Sequence, residues 1–426
     1  YVSASFRTDG SSRFHPDNRW GKFWSVGASW RISNEEFMSS TTDWLDNLKL
    51  KASYGAVGND NLGTYYAYQG LYATGLNNYN DAGVMINRLP NKDLKWETNL
   101  QTNVGVDFAM FNRLSGSVEW FNRKSKDLLF YMPMAPSTGF SGIDRNVGDV
   151  KNVGVEFSLN FAAINNKDFK WTIDLNGTHY KNTITKLPQE EINSGVFKWR
   201  EGESRYNFWG AEYAGVNPET GNDMYWMNVY ATDENGNEYV KERVKTEDYN
   251  QVTSDKQKKY LGDAIPKIFG GFTNTFAYKG IDLSFMLYYS IGGKLYDSDY
   301  SQMMSYRIGY GMHPDMLEAW TPENTNAEFP RISTAYANYL NSYTSKFIYD
   351  NTFVRLRNVT LGYTLPQSWT RKFQVNSLRL YVQGDNILTF GSAAKRGTDP
   401  EQSIDGCTAN RFPVTKSISF GLQLNL

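Results

Sequence analysis

The sequence predicts an all-β protein: a transmembrane antiparallel β-barrel, about fourteen strands of which lie in this chain, with long extracellular loops. Three observations support this prediction. Apolar and polar residues alternate in repeated segments along the 426 residues. Aromatic residues make up 15% of the chain, whereas the mean hydropathy is only -0.56. A strand between lipid and a wet lumen needs only every second residue to be apolar, so a barrel accounts for both values.

The alternation is clearest in six segments spread along the chain. Between their apolar residues stand polar or charged ones, such as Asp107, Glu156 and Asp174. The apolar faces are Trp24, Val26, Ala28 and Trp30; Leu48, Leu50, Ala52 and Tyr54; Leu100, Val104, Val106 and Phe108; Val153, Val155, Phe157, Leu159 and Phe161; Phe169, Trp171, Ile173 and Leu175; and Ile418, Phe420, Leu422 and Leu424.

A large soluble β-sandwich or propeller is the structural alternative to a barrel. It would share the alternation, but it would place the charged face in bulk water and would not need girdles of aromatic residues at strand ends. The candidates for such girdles are Trp20, Trp30, Trp96, Trp120 and Trp171. The sequence therefore favours the barrel.

The connections between strands fall into two classes, which is typical of outer-membrane barrels. Short turns are predicted at 111–113, 165–167 and 279–281. Long connections, of the kind that carry function, are predicted at 58–95, 130–149, 183–266, 292–351 and 389–413. The long ones are rich in Tyr, Trp, Asn, Asp and Gly, which suits stacking on sugar rings and hydrogen bonding to hydroxyl or amide groups.

Charge and reactive residues exclude several functions. The net charge is -1, so the composition gives no electrostatic support for nucleic-acid binding. The sequence has no run of about 18 apolar residues, so no membrane-spanning helix is predicted. The single cysteine, Cys407, cannot form an internal disulfide. His15, His179 and His313 have no partners at metal-ligand or catalytic-triad spacing, so catalysis is not supported and we expect no enzyme.

Calcium is the one cofactor that the loop sequences leave open, without support beyond composition. Three clusters carry suitable oxygens: 59–61, 233–237 and 297–299. The second cluster includes Asn235-Gly236 between Tyr225-Trp226 and Tyr239-Val240, and this pattern is more typical of a hairpin turn. We therefore predict no metal or other cofactor.

Aromatic residues of the long connections are the candidates for contact with a ligand or with a lid protein. Packing within the loops is the competing explanation for each of them. The candidates are Tyr206, Trp209, Tyr225, Trp226, Tyr306 and Tyr310.

Several segments, in order along nearly the whole chain, resemble the SusC/RagA family of TonB-linked outer-membrane proteins. Each motif is short, and their order carries the resemblance. The matching segments are Arg7-Thr8-Asp9-Gly10-Ser11-Ser12-Arg13-Phe14, Trp30-Arg31-Ile32-Ser33, Leu48-Lys49-Leu50-Lys51-Ala52-Ser53-Tyr54-Gly55, Asp93-Leu94-Lys95-Trp96-Glu97-Thr98, Asn152-Val153-Gly154-Val155-Glu156, Pro266-Lys267-Ile268-Phe269-Gly270-Gly271-Phe272-Thr273-Asn274, Phe353-Val354-Arg355-Leu356-Arg357-Asn358-Val359-Thr360-Leu361-Gly362-Tyr363, Gln383-Gly384-Asp385-Asn386 and Asp399-Pro400-Glu401.

The resemblance implies active import of a bulky nutrient through a 22-stranded barrel that holds an N-terminal plug and is energised by TonB. It also implies a SusD-like surface lipoprotein as a lid and a location in the outer membrane, in contact with its lipid. Residues 1–426 would be the C-terminal part of the barrel, with the plug and TonB box outside this chain. An oligosaccharide is the first substrate class; an oligopeptide importer and a passive porin or adhesin-type barrel are the alternatives.

Overall fold

The computed structural model describes residues 1–306, 309–333, 343–391 and 398–425. Strands dominate it, which confirms the all-β prediction. Twelve of them are assigned to one large sheet and are numbered here in chain order. They are β1 Val2–Gly10, β2 Trp20–Arg31, β3 Leu45–Asn59, β4 Glu97–Met110, β5 Leu114–Lys126, β6 Asp149–Asn165, β7 Phe169–Lys186, β8 Ile268–Tyr278, β9 Ile281–Ile291, β10 Phe353–Thr364, β11 Ser377–Gly391 and β12 Ser417–Asn425.

Neighbouring strands of this sheet follow one another in sequence, from β1 to β12. The described sheet therefore has twelve strands, fewer than the predicted number of about fourteen. Further strands lie in the predicted long connections, outside this sheet. The segments Asp223–Thr232 and Glu238–Thr246, for example, pair with each other in a separate three-stranded sheet.

The remaining elements are short and lie in the connections. Their strands are Leu71–Thr74, Val84–Arg88, Leu129–Pro133, Gly142–Asn146, Glu191–Ser194, Phe197–Arg200, Asn207–Gly210, Tyr213–Val216, Asp223–Thr232, Glu238–Thr246, Lys259–Asp263, Lys294–Tyr296 and Ile348–Asp350. The α-helices are Ser298–Met304 and Gln367–Thr370. The 3-10 helices are Pro16–Asn18, Ile32–Asn34, Glu36–Thr41, Pro136–Thr138, Tyr249–Val252, Asp255–Gln257, Pro314–Glu318, Ser345–Phe347 and Arg371–Phe373.

The chain divides into two compact units. The first comprises residues 1–164, 172–192 and 200–204, and the second comprises 165–171, 193–199 and 205–426. Among the described residues, no helix is long and apolar enough to cross a membrane.

In the first unit, strand register aligns apolar side chains across the sheet. One row runs through Ala28, Ala52, Val104, Trp120 and Val155, each paired with the next. Since side chains alternate between faces, this row shares one face. Its larger members, such as Val104 and Trp120, are exposed. Exposed apolar side chains in register are expected of a sheet face that meets lipid.

The opposite face of the first unit carries polar and charged side chains. The ammonium of Lys51 lies 2.9 Å from Oδ1 of Asp107 and 3.3 Å from Oε2 of Glu119. Ser117 and Ser158, on neighbouring strands, have their hydroxyl oxygens 2.8 Å apart. Such a face tolerates charges because it faces water rather than hydrocarbon.

The second unit repeats this division between faces. Ile281 pairs with Tyr363, Tyr363 with Leu380, and Leu380 with Leu422, and all four side chains are exposed. Between such rows, Arg379 pairs with Asp282 through its guanidinium.

The short turns of the predicted barrel are present. Between β8 and β9, Lys279 and Gly280 both adopt positive φ, 46° and 91°, in a two-residue turn. Positive φ at both central residues matches the twist of the flanking strands and favours glycine. Long connections then follow β3, β5, β7, β9 and β11, so short and long connections alternate.

Two of the predicted girdle residues were assigned wrongly. Trp120 lies in the middle of β5 rather than near its end. Trp96 precedes β4 and packs against Phe14, with ring centres 5.7 Å apart, while its indole N–H donates to the carbonyl of Arg19. The motifs that contain Phe14 and Trp96 thus meet in a small buried core with Leu94 and Ala67.

Candidate functional site

The candidate aromatic residues lie in the connection between β7 and β8 and in that between β9 and β10. Tyr206 borders the loop core, which we define as Phe208, Ala264, Tyr296, Tyr300, Met304, Met316, Ala319, Phe329 and Phe347. Its ring meets Phe197 edge to face at 6.3 Å, and the guanidinium of Arg205 lies 5.9 Å from its centre. Tyr206 therefore packs within the loops and is half-buried.

Trp209 stands in the strand Asn207–Gly210, and its indole N–H donates to Oδ1 of Asp255 at 3.4 Å. The ammonium of Lys198 lies 4.6 Å from its ring centre, and Tyr260 meets it edge to face at 4.8 Å. Lys198 is only 2% exposed and also lies 3.0 Å from Oδ2 of Asp255. The bond from Lys198 lowers the pKa of the Asp255 carboxyl, which keeps this loop pair charged.

Tyr225 and Trp226 are neighbours in sequence with opposite environments. Tyr225 is only 5% exposed and packs edge to face against Tyr213 and Tyr249. Trp226 is half-buried, with the cations of Arg243 and Lys245 at 5.0 and 5.4 Å from its ring centre. Because successive strand residues point to opposite faces, Tyr225 lies in the core and Trp226 lies at the surface.

Tyr306 and Tyr310 follow the helix Ser298–Met304. Tyr306 is half-buried, whereas Tyr310 is 73% exposed. Tyr310 is thus the most accessible of the six candidates. The contacts described for Tyr206, Trp209, Tyr225 and Trp226 are with different residues, and they do not gather the candidates on a single surface.

The three acidic clusters considered for calcium have protein donors. The hairpin predicted at Asn235-Gly236 is confirmed: Thr232 pairs with Glu238, and the Asp233 carboxylate accepts from the backbone N–H of Asn235 and Asn237. These amide bonds lower the pKa of Asp233. Within the described ranges, no group of three His, Cys, Asp or Glu residues is arranged to hold a metal ion.

The carboxylates of the other two clusters, 59–61 and 297–299, accept hydrogen bonds that connect parts of the loops. Asp60 accepts from the hydroxyl of Ser11 at 2.7 Å. Asp297 caps the helix Ser298–Met304 by accepting from the N–H of Tyr300 at 2.9 Å, and its other oxygen accepts from Thr398 at 2.5 Å. Asp299 accepts from the N–H of Asn410.

Sequence reasoning missed a buried ion pair in the loops of the second unit. The ammonium of Lys346 donates to both oxygens of Asp223, and the hydroxyl of Tyr213 donates to one of them at 2.9 Å. Burial lowers the pKa of Lys346; burial, followed by the charge of Asp223, raises that of Tyr213. The two charged residues are 123 positions apart, so no local pattern indicates the pair.

A second network joins β10 to the connection between β11 and β12. Arg355, 3% exposed in its side chain, donates to Asp399 at 2.5 Å and to Glu401 at 2.8 Å. Arg357 donates to both oxygens of Glu401, at 2.6 and 3.0 Å. The two arginines lie in the motif 353–363, and the two carboxylates lie in the motif 399–401. Strand alternation in the first motif and turn chemistry in the second do not predict that the two motifs form ion pairs.

An exposed apolar sheet face, a polar opposite face and alternating short and long connections together define an outer-membrane β-barrel protein. A model described as "TonB dependent receptor-like, beta-barrel" matches residues 1–387. The chain therefore belongs to the TonB-dependent receptor-like β-barrel family, and its place is the outer membrane.

Named relatives agree with this assignment. TonB-dependent receptor P3 of Formosa agariphila is 33% identical over 439 residues, covering 99% of this chain and 42% of the relative. TonB-dependent receptor SusC of Bacteroides thetaiotaomicron is 31% identical over 437 residues, covering 99% and 41%. These relatives confirm the resemblance to SusC.

A solved structure described as "the RagAB peptide transporter" is also similar. It matches with a TM-score of 0.84 and 30% identity, over 100% of this chain and 46% of that one. The chain thus spans less than half the length of the relatives and of the solved chain that it matches. The family consists of transporters and receptors rather than enzymes.

Proposed function

We propose that this chain supplies wall and loops to an outer-membrane importer that takes up a bulky nutrient with energy delivered through TonB. Membership of the TonB-dependent receptor-like family carries the proposal. The sheet supports it with an apolar face for lipid and a polar face for a wet interior. The loops support it because they fold around their own apolar core, so they can hold side chains in fixed positions at the mouth.

The first substrate class that we propose is an oligosaccharide. Half-buried Trp226 and exposed Tyr310 offer aromatic surface of the kind that stacks on sugar rings. An oligopeptide is the second class, favoured by the similarity to the RagAB peptide transporter. Both cargoes present many hydrogen-bonding groups, so the polar loops suit either.

We propose a SusD-like surface lipoprotein as partner and lid, on the basis of the similarity to SusC and to RagAB. We propose further that residues 1–426 are the C-terminal part of the barrel and that the plug and TonB box belong to another part of the protein. The barrel family model, which matches residues 1–387, supports this division. A role in transport, without catalysis, follows from the same family.

The test is affinity purification of the full-length protein from outer membranes, with mass spectrometry of what accompanies it. The proposal expects a SusD-like lipoprotein together with bound oligosaccharide or peptide. The same strain, with and without TonB, is then supplied with that ligand labelled with a fluorophore. Uptake should require TonB. A protein that purifies without lipoprotein or ligand, and conducts ions freely in a planar bilayer, would instead be a passive porin.

A further inference from the structure

The connection between β10 and β11, residues 365–376, exposes aromatic and basic side chains side by side. It contains the helix Gln367–Thr370 and the 3-10 turn Arg371–Phe373. Trp369 is 57% and Phe373 79% exposed, and Arg371 and Lys372 are exposed beside them. Amphipathic aromatic and basic residues at the edge of a membrane protein are typical of the interface between hydrocarbon and headgroups.

A third cation lies at the same edge of the sheet. Gly280 of the β8–β9 turn accepts a hydrogen bond of 2.7 Å from the N–H of Thr364, the last residue of β10. The turn is therefore held beside the start of the connection 365–376, and it carries the exposed side chain of Lys279. In outer-membrane barrels such short connections face the periplasm.

An apolar groove opens on the lipid-facing side of these strands. It has a volume of about 660 Å³. We call it the β9–β12 groove; it is lined by Ile281, Leu361, Tyr363, Leu380, Val382 and Phe420.

Apart from Asp282, which is in an ion pair with Arg379, the charge at this edge has one sign. Residues 365–376 contain no Asp or Glu. Across the ranges that the structure covers, none of Lys279, Arg371 and Lys372 takes part in an ion pair. The short connection 32–44 has the opposite composition, with Glu35, Glu36 and Asp43 and no basic residue. A cationic edge above an apolar groove complements one kind of molecule, an anionic lipid.

We propose that the β9–β12 groove and its cationic edge bind an anionic phospholipid of the periplasmic leaflet. An acyl chain lies in the groove, and the phosphate is attracted by Lys279, Arg371 and Lys372. Trp369 and Phe373 sit at headgroup level and anchor this edge of the sheet. The proposal depends on the chain being a membrane barrel and not on what the barrel imports.

The experiment is native mass spectrometry of the full-length protein, released from detergent after incubation with phosphatidylglycerol and phosphatidylcholine of equal chain length. The wild type should retain phosphatidylglycerol preferentially. R371Q/K372Q should lower that preference by about tenfold or more, since each cation near the surface contributes about 1 kcal/mol. W369A/F373A should lower the retained amount of both lipids.

The matched control is R113Q/K167Q, which removes two exposed cations from other short connections. It should leave the preference unchanged. Folding of each variant is checked by the mobility of the unheated protein on SDS gels. Equal retention of the two lipids by the wild type would overturn the proposal. So would a loss of preference in R113Q/K167Q as large as that in R371Q/K372Q, because the effect would then follow total charge.

Discussion

The ammonium group of Lys346 donates to the two carboxylate oxygens of Asp223 at 2.9 and 2.8 Å, although the two side chains are only 7% and 0% exposed. The pair joins the strand Asp223–Thr232 to the 3-10 helix Ser345–Phe347, far apart in sequence. Both charges have lost most of their water, so each depends on the other.

Removal of one partner should therefore be costly. We expect Lys346→Met to destabilise these loops by roughly 3–5 kcal/mol, because it leaves the Asp223 carboxylate buried without its cation. Hydrogen exchange of the full-length protein should show faster exchange in residues 211–227 and 343–348.

The control is Lys256→Met, which breaks an ion pair with Glu238 in which both side chains are more than half exposed. It should change exchange little, since exposed pairs contribute little. The double variant D223L/K346M should recover part of the protection lost in K346M. If K346M and K256M exchange alike, the buried pair does not stabilise the loops.

Arg355 should control access to Cys407. The guanidinium of Arg355 forms ion pairs with Asp399 and Glu401, in the connection between β11 and β12. Further along this connection, next to Cys407, the carbonyl of Gly406 accepts a backbone hydrogen bond of 2.8 Å from the N–H of Tyr296. Burial raises the pKa of the Cys407 thiol to about 12. At pH 8 little thiolate is present, so alkylation in the wild type should be slow.

We expect Arg355→Gln to release the segment and expose the thiol, whose pKa then falls toward its ordinary value. Iodoacetamide labelling of Cys407, followed by peptide mass spectrometry across pH 7 to 11, measures both changes. In the wild type the rate should keep rising to the highest pH; in the variant it should level off earlier. Arg357→Gln, which leaves both Arg355 contacts in place, is the control and should label slowly.

The strands could be predicted from the sequence because their signal is local. Alternation in Val104, Val106 and Phe108 requires only neighbouring residues, and the pairing of these strands with their sequence neighbours completes the sheet. The position of a residue along the membrane normal, in contrast, is not determined by its neighbours in sequence. Trp120, predicted near a strand end, lies in the middle of β5 for that reason.

The loops could be predicted much less well. Their contacts join residues that are distant in sequence, such as Arg355 with Asp399 and Lys346 with Asp223. Composition indicated aromatic candidates, but it could not separate buried Tyr225 from half-buried Trp226, because that division depends on which face of a loop sheet is covered. The hairpin at Asn235-Gly236 is the exception, since its turn chemistry is contained in a few residues.

Trp171 and Asn274 should stabilise the apolar face of the sheet together. The indole N–H of Trp171 donates to Oδ1 of Asn274 at 3.0 Å, and the ring stacks on Phe276 at 5.5 Å. Asn274 is 4% exposed and lies among apolar side chains, where a lost partner is not replaced by water. We expect Trp171→Phe to lower the unfolding free energy by about 1–3 kcal/mol.

The measurement is the urea midpoint of the full-length protein, followed by mobility of the unheated sample on SDS gels. Trp24→Phe is the matched control, because Trp24 lies on the apolar face of β2 and contacts Tyr54 through its ring. The same midpoint for both variants would mean that the indole hydrogen bond contributes nothing beyond the ring itself. N274L combined with Trp171→Phe should recover stability, since both polar groups are then absent.

Among the six aromatic candidates, Tyr310 is the one whose removal should affect the cargo and leave the fold intact. Its ring is 73% exposed, so Tyr310→Ala removes little packing. If the ring stacks on a bound ligand, the loss of about 0.5–1.5 kcal/mol should weaken affinity by roughly two- to tenfold. Tyr225→Ala should lower stability instead, because that side chain is only 5% exposed and packs against Tyr213 and Tyr249.

Affinity is measured by calorimetry with the oligosaccharide or peptide that co-purifies with the full-length protein, and stability by its melting temperature. Tyr239→Ala is the control: Tyr239 is 50% exposed on the hairpin strand Glu238–Thr246 and was not a candidate. An equal loss of affinity in Tyr310→Ala and Tyr239→Ala would show a general effect of exposed tyrosines. A loss confined to Tyr310→Ala would place the cargo at the connection between β9 and β10, where the helix Ser298–Met304 is capped by Asp297.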